Sequence, residues 1–148
     1  MAELRTVSFE GNTLVDRVAY AAARAELGTG FVRILGYFRE DGVKSVAAIE
    51  TAMRKGQAAA LVLPAHTLKG EARQFGALPL ATLAETIEMI ARECVERQDT
   101  PDEALQSVAR LRPLFNETLT LLERESAPAM PVRRPAAGGF GRRTLPAG

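Results

Sequence analysis

Apolar residues recur at alternating steps of four and three along two neighbouring stretches of this chain, and that spacing restricts them to helices packed along a seam. Leu61, Ala65, Leu68, Ala72 and Phe75 step 4-3-4-3, and Leu80, Leu83, Ile87, Ile90 and Cys94 step 3-4-3-4. At 3.6 residues per turn each set falls on one face, and such a face has to be buried against other helices. The spacing predicts one helix over about 58–75 and another from Pro79 to about Arg97, with Gly76 as the stop between them. A longer helix is expected over about 31–54, with the stripe Phe31, Ile34, Leu35, Phe38, Val46, Ile49 and Met53, and with Gly56 as its end. Gly42 is its weak point, at about 1 kcal/mol against alanine. A short first helix over about 13–26 carries Leu14, Val18, Ala21, Ala22 and Ala25 as its stripe and stops at Gly28-Thr29-Gly30. Thr100-Pro101-Asp102-Glu103 reads as a cap, a first-turn proline and first-turn acids. They open a last helix with the stripe Ala104, Val108, Leu111, Phe115, Leu119 and Leu122. Pro64 either moves the start of the third helix to near Leu61 or kinks it, and Pro113 predicts a kink or break in the last one. The expected fold is all-α: an antiparallel up-and-down four-helix bundle with an additional short N-terminal helix as a cover.

The 148 residues suit one domain, expected over 1–126, followed by a tail over 127–148 that is rich in Pro, Gly and Ala. That tail has no apolar periodicity and is expected to be disordered. It holds Arg133, Arg134, Arg142 and Arg143 and no acid, which leaves the preceding 126 residues with 15 basic against 18 acidic side chains, or −3. A mildly acidic body argues against nucleic acid as a partner. No apolar run approaches the roughly 18 to 20 residues that span a bilayer, so no membrane association and a cytoplasmic location are expected. One cysteine, Cys94, and one histidine, His66, on different helices make a poor ligand set, and no metal site is expected. Neither a G-x-x-x-x-G-K-[ST] nor a G-x-G-x-x-G motif is present in a strand-to-helix setting, which excludes a self-contained nucleotide enzyme.

The informative segment runs from Ala65-His66-Thr67-Leu68-Lys69-Gly70 to Phe75-Gly76-Ala77. With the core seam at 0° and 100° per residue, Lys69 falls at about 80°, Arg73 at about 120°, His66 at about 140° and Gly70 at about 180°. His66 therefore faces solvent. Lys69 stands one turn away, where its donors reach an anionic group on the imidazole, and Arg73 lies a further turn along. Gly70 has no structural reason to sit in a well-formed helix, and a missing side chain there suits an approaching group. Val62 and Leu63 add an apolar patch one turn before His66, as a protein-docking face requires. Imidazole is a good nucleophile, and a phosphoryl group on its ring nitrogen is a high-energy phosphoramidate that can be passed on. The face has no carboxylate pair for magnesium and no phosphate loop, so catalysis of transfer has to come mainly from a partner.

His66, Leu68, Lys69, Gly70 and Gly76, with Leu80, Leu83 and Glu88 beyond them, resemble the histidine-containing phosphotransfer domain family, whose pattern is H-x-L-K-G-x-x-x-x-x-G. The resemblance extends more loosely over about residues 12–124. It implies a four-helix bundle whose exposed histidine accepts a phosphoryl group from an aspartate of a response-regulator receiver domain and donates it to another. By that resemblance His66 is the phosphorylated residue, Lys69 neutralises phosphoryl oxygens, and Gly70 leaves room for the receiver's loops. Glu88 and Arg92 match positions that lie near the histidine and orient it or bind the partner. The implied partners are receiver domains and a hybrid histidine kinase, the protein is a monomeric carrier rather than an enzyme, and it needs no cofactor, since magnesium sits on the receiver. The sequence departs from the family at Glu71 and Arg73, where small residues are usual, and at Pro64. Two other readings compete: a phosphorylation-independent helical bundle that regulates receivers by binding them, and a histidine-kinase dimerisation domain, for which the chain has no ATP-binding domain.

Overall fold

The computed structural model describes residues 14–126; residues 1–13 and 127–148, and with them the tail expected to be disordered, lie outside the described residues. The elements are α1 (Arg17–Leu27), a 3-10 turn (Gly28–Gly30), α2 (Phe31–Arg54), α3 (Ala58–Gln74), α4 (Leu78–Arg97), a second 3-10 turn (Asp102–Ala104) and α5 (Leu105–Ser126). No strand occurs among the described residues. Helices α2 to α5 form the expected four-helix bundle: each packs against its chain neighbours, α5 closes back on α2, and α1 lies across α2 and α3.

The seams behave as the spacing predicts. Leu61, Ala65, Leu68 and Ala72 of α3 and Leu80, Ile87, Ala91 and Cys94 of α4 are buried, and Val108, Leu111, Phe115 and Leu122 of α5 join them. A run of aromatic contacts crosses the core from the cover helix to α5: Tyr20 on Phe31, Phe31 on Phe75, Phe75 on Phe38 and Phe38 on Phe115, with centroids 5.3 to 5.7 Å apart. Gly42 is where α2 and α5 close over that run, because a Cβ at Gly42 would come within 2.5 Å of Phe115 Cζ. The turn between α3 and α4 is pinned in the same way. Gly76 has φ +75°, the Asp16 N–H donates to its carbonyl at 2.7 Å, and a Cβ there would meet the Asp16 carbonyl oxygen at 2.8 Å.

Several local expectations are corrected. The stripe expected on the first helix faces outward: Val18 is 80% exposed and Ala21, Ala22 and Ala25 are exposed, while Tyr20 and Ala23 are buried. That helix begins at Arg17, where the Asp16 carboxylate caps it by accepting from the Val18 N–H at 3.0 Å. Thr100 does not cap the last helix, which is entered through the 3-10 turn at Asp102 with Pro101 before it. Helix α3 starts at Ala58 rather than Leu61 and runs on through Pro64, and α5 is not broken at Pro113. A seam of buried side chains on both flanks holds each helix together across the one bond that its proline removes.

Candidate functional site

The middle of α3 carries His66 on its outer face, with 56% of the side chain exposed. Its ring is tied on the inner side. Nδ1 lies 3.0 Å from Oε2 of Glu88 on α4, a residue only 4% exposed. Arg92, one turn further along α4, donates to the same oxygen from Nε at 3.0 Å and Nη2 at 2.8 Å. Lys69 Nζ approaches the other oxygen, Oε1, at 2.9 Å. That contact is short but poorly directed for a hydrogen bond, so it acts as close charge pairing. Burial by itself would raise the Glu88 pKa; close pairing with Lys69 and hydrogen bonding with Arg92 and His66 overcome it and hold the carboxyl at about 2.

An ionised carboxylate can only accept, so in the neutral ring Nδ1 carries the hydrogen and Nε2 keeps its lone pair, turned toward solvent. The site is thus an oriented nucleophile beside two cationic side chains. Gly70 is exposed, and a Cβ there would meet nothing within 4 Å, so no packing demand explains the glycine. Leu63 is 71% exposed, whereas Val62 is half-buried. Val62 instead lines a shallow groove between α3 and α4 with Ala59, Arg92, Val95 and Glu96.

Three predicted residues are placed differently from the expectation. Lys69 is not a free surface cation: its side chain is 16% exposed and committed to Glu88. Arg73 stands apart from the His66 cluster and reaches Glu85 at 3.2 Å. Glu88, buried as it is, orients the ring and is not a surface contact for a partner. Sequence reasoning missed the groove residues Ala59, Val95 and Glu96, although Glu88, Arg92 and Val95 follow one another at helical steps of four and three. It also missed the meaning of Glu71, which faces α2. Burial, reinforced by the Asp41 carboxyl group beside it, pushes the Glu71 carboxyl up to about 7.

The Hpt domain family matches residues 33–125, well over half of the chain. The chain belongs to the Hpt family. Hpt proteins are the histidine phosphotransfer proteins of phosphorelays, carriers rather than enzymes, and they interact with response-regulator receivers and kinases. Among solved structures, histidine-containing phosphotransfer protein B from Pseudomonas aeruginosa PAO1 is similar in fold, with a TM-score of 0.66 at 22% identity, covering 76% of this chain and 93% of that one. No curated protein sequence matches. The family match begins inside α2 and leaves α1 outside it. No helix among the described residues of this Hpt protein is long and apolar enough to cross a membrane.

Proposed function

We propose that this Hpt protein takes a phosphoryl group onto His66 Nε2 from the phosphoaspartate of one receiver domain and hands it to the aspartate of another. The carrying observation is the 3.0 Å contact of Nδ1 with a buried, ionised Glu88, which leaves Nε2 as the free, outward nitrogen. In the forward step the Nε2 lone pair forms the N–P bond, the P–O bond to the donor aspartate breaks, and that carboxylate leaves with the bonding pair. The ring keeps its Nδ1 hydrogen and becomes cationic, and Glu88 stabilises that charge at contact distance. The return step runs the same bonds backwards onto the second receiver. Lys69, on a flexible stem one turn from His66, turns from Glu88 toward the phosphoryl oxygens, and Gly70 leaves space for the receiver's loops.

Magnesium arrives with the receiver in this reading. The one carboxylate beside His66 is already occupied by Lys69 and Arg92, a donor set that suits an anion and repels a divalent ion. The carrier acts as a cytoplasmic monomer, since one histidine on one open face is all the reaction asks of it. Incubation with a phosphorylated receiver and magnesium should place an acid-labile, alkali-stable label on the protein, and His66→Gln should abolish it. A label that survives His66→Gln overturns the assignment. Receiver binding that is unchanged in His66→Ala, with no transfer at any ratio, points instead to a regulator that binds receivers without accepting phosphate.

A further inference from the structure

A proline sits inside α3. Helix α3 runs from Ala58 to Gln74 with Pro64 in its interior, so Pro64 neither starts nor ends the helix. An interior proline costs about 3 kcal/mol relative to alanine, and a cost of that size points to a use. The cost has a definite chemical product. Pro64 has no N–H, so the carbonyl of Ala60 cannot receive the helix bond that residue 64 would otherwise donate. Ala60 is exposed, and it opens an outward row at helical spacing, Ala60, Leu63, Thr67 and Gly70, all of them exposed. That row runs along the exposed side of α3 next to His66, two residues beyond Pro64, so a protein docked over His66 and Gly70 has Leu63 and the Ala60 turn next to it along the helix.

We propose that the Ala60 carbonyl, freed by Pro64, accepts a hydrogen bond from the docking receiver and so selects receivers that present a donor side chain beside an apolar contact for Leu63. This rests on the phosphotransfer reading above and assigns its specificity. The receiver is the occupant because the acceptor is continuous with the surface that transfer must bury. An open carbonyl discriminates well: a receiver with a donor satisfies it, and one that covers it with an apolar group strips its water and gives nothing back. Pro113 supplies an internal control. It makes the same backbone change in α5, opening the carbonyl of the exposed Ala109, and α5 packs between α2 and α4 without bordering the His66 face.

The test measures transfer from a panel of phosphorylated receivers to wild type, Pro64→Ala and Pro113→Ala, alongside labelling of each protein by the small donor phosphoramidate, which reports the chemistry of His66 alone. Both variants regain a helix bond and should melt at higher temperature, so misfolding does not confuse the result. For the best receiver, kcat/KM in Pro64→Ala should fall about two- to tenfold relative to its phosphoramidate rate, through KM, which is the worth of one neutral hydrogen bond. Poor receivers should lose less, and Pro113→Ala should show no such change. Unchanged transfer in Pro64→Ala, equal losses for every receiver, or an equal loss in Pro113→Ala overturns the proposal. Wild-type protein that takes label from neither receiver nor phosphoramidate overturns the phosphotransfer reading itself.

Discussion

Glu88→Gln separates charge from shape at the site. Glutamine has nearly the same volume and keeps a carbonyl that accepts from His66 Nδ1, but it cannot neutralise Lys69 and Arg92. The wild-type carboxyl is held at about 2, against an ordinary value of 4.5, because interactions with Lys69, Arg92 and His66 outweigh its burial. At about 1.4 kcal/mol per pH unit, that difference amounts to about 3 kcal/mol in favour of the ionised form. The sign follows from linkage: a depressed carboxyl adds stability that is fully present above about pH 4.5 and is lost as pH falls toward 2. Glutamine imitates the protonated acid, so Glu88→Gln should cost up to about 3 kcal/mol at pH 7, and the gap to wild type should close between pH 4.5 and 2. Urea unfolding followed by far-UV circular dichroism at a series of pH values measures this. A gap of the same size at pH 7 and pH 2.5 would mean that packing was lost and not charge, and would refute the account of Glu88 as an ionised hub. Phosphoramidate labelling of the variant should also slow, because the amide can turn its NH2 toward Nδ1 and favour the other tautomer.

Glu71 predicts the opposite pH dependence. Its carboxyl stands at about 7 in the fold, above its ordinary 4.5, so its contribution is intact below about pH 4.5 and is lost as pH rises through 7. Glu71→Gln, which stays uncharged, should equal wild type near pH 4.5 and exceed it by about 2 to 3 kcal/mol at pH 8; parallel urea midpoints across that range would refute the raised Glu71 carboxyl. The bundle's glycines should split by environment. Gly70→Ala should raise stability by about 1 kcal/mol from helix propensity alone, since its Cβ meets nothing. Gly42→Ala should lower it despite the same propensity gain, because the Phe115 ring is buried against Phe38 and crowding a packed core costs about 1 to 3 kcal/mol; a higher melting temperature for Gly42→Ala would contradict the close approach of α2 and α5.

The parts of this fold that were legible in the sequence are those where one side chain type dominates a face. On α3 and α4 every seam position is large and apolar or alanine between such residues, so the phase of each helix follows from spacing. On α1 the signal fails because alanine buries little area and fits either environment; the aromatic Tyr20, wedged on Phe31, sets the phase and turns Val18 out. Gly42 shows a second kind of loss. Its cost is readable locally, but the Phe115 ring that requires it belongs to another helix. The site divides in the same way. His66, Lys69 and Gly70 are visible because their spacing puts them on an outer face, whereas the burial of Glu88 depends on how α3 and α4 meet, and pairing removes Lys69 from the surface that helical geometry assigned to it.

The two flanks of His66 carry different demands. Toward α4 the ring meets a buried carboxylate with two cations on it, an arrangement that tolerates little change because losing any member leaves a charge unpaired. Among the described residues, Glu88 is the carboxylate in hydrogen-bond contact with His66, and its oxygens are held by Arg92 and Lys69. Toward α2 the exposed row Ala60, Leu63, Thr67 and Gly70 carries no charged side chain, and Pro64 removes the N–H that would otherwise bond the Ala60 carbonyl. In the proposed function the chemistry common to every transfer uses the α4 side, where the network fixes the ring, and the proposed discrimination among partners uses the α2 side. There a single N–H, present or absent at residue 64, changes what a docking surface must offer without disturbing the histidine.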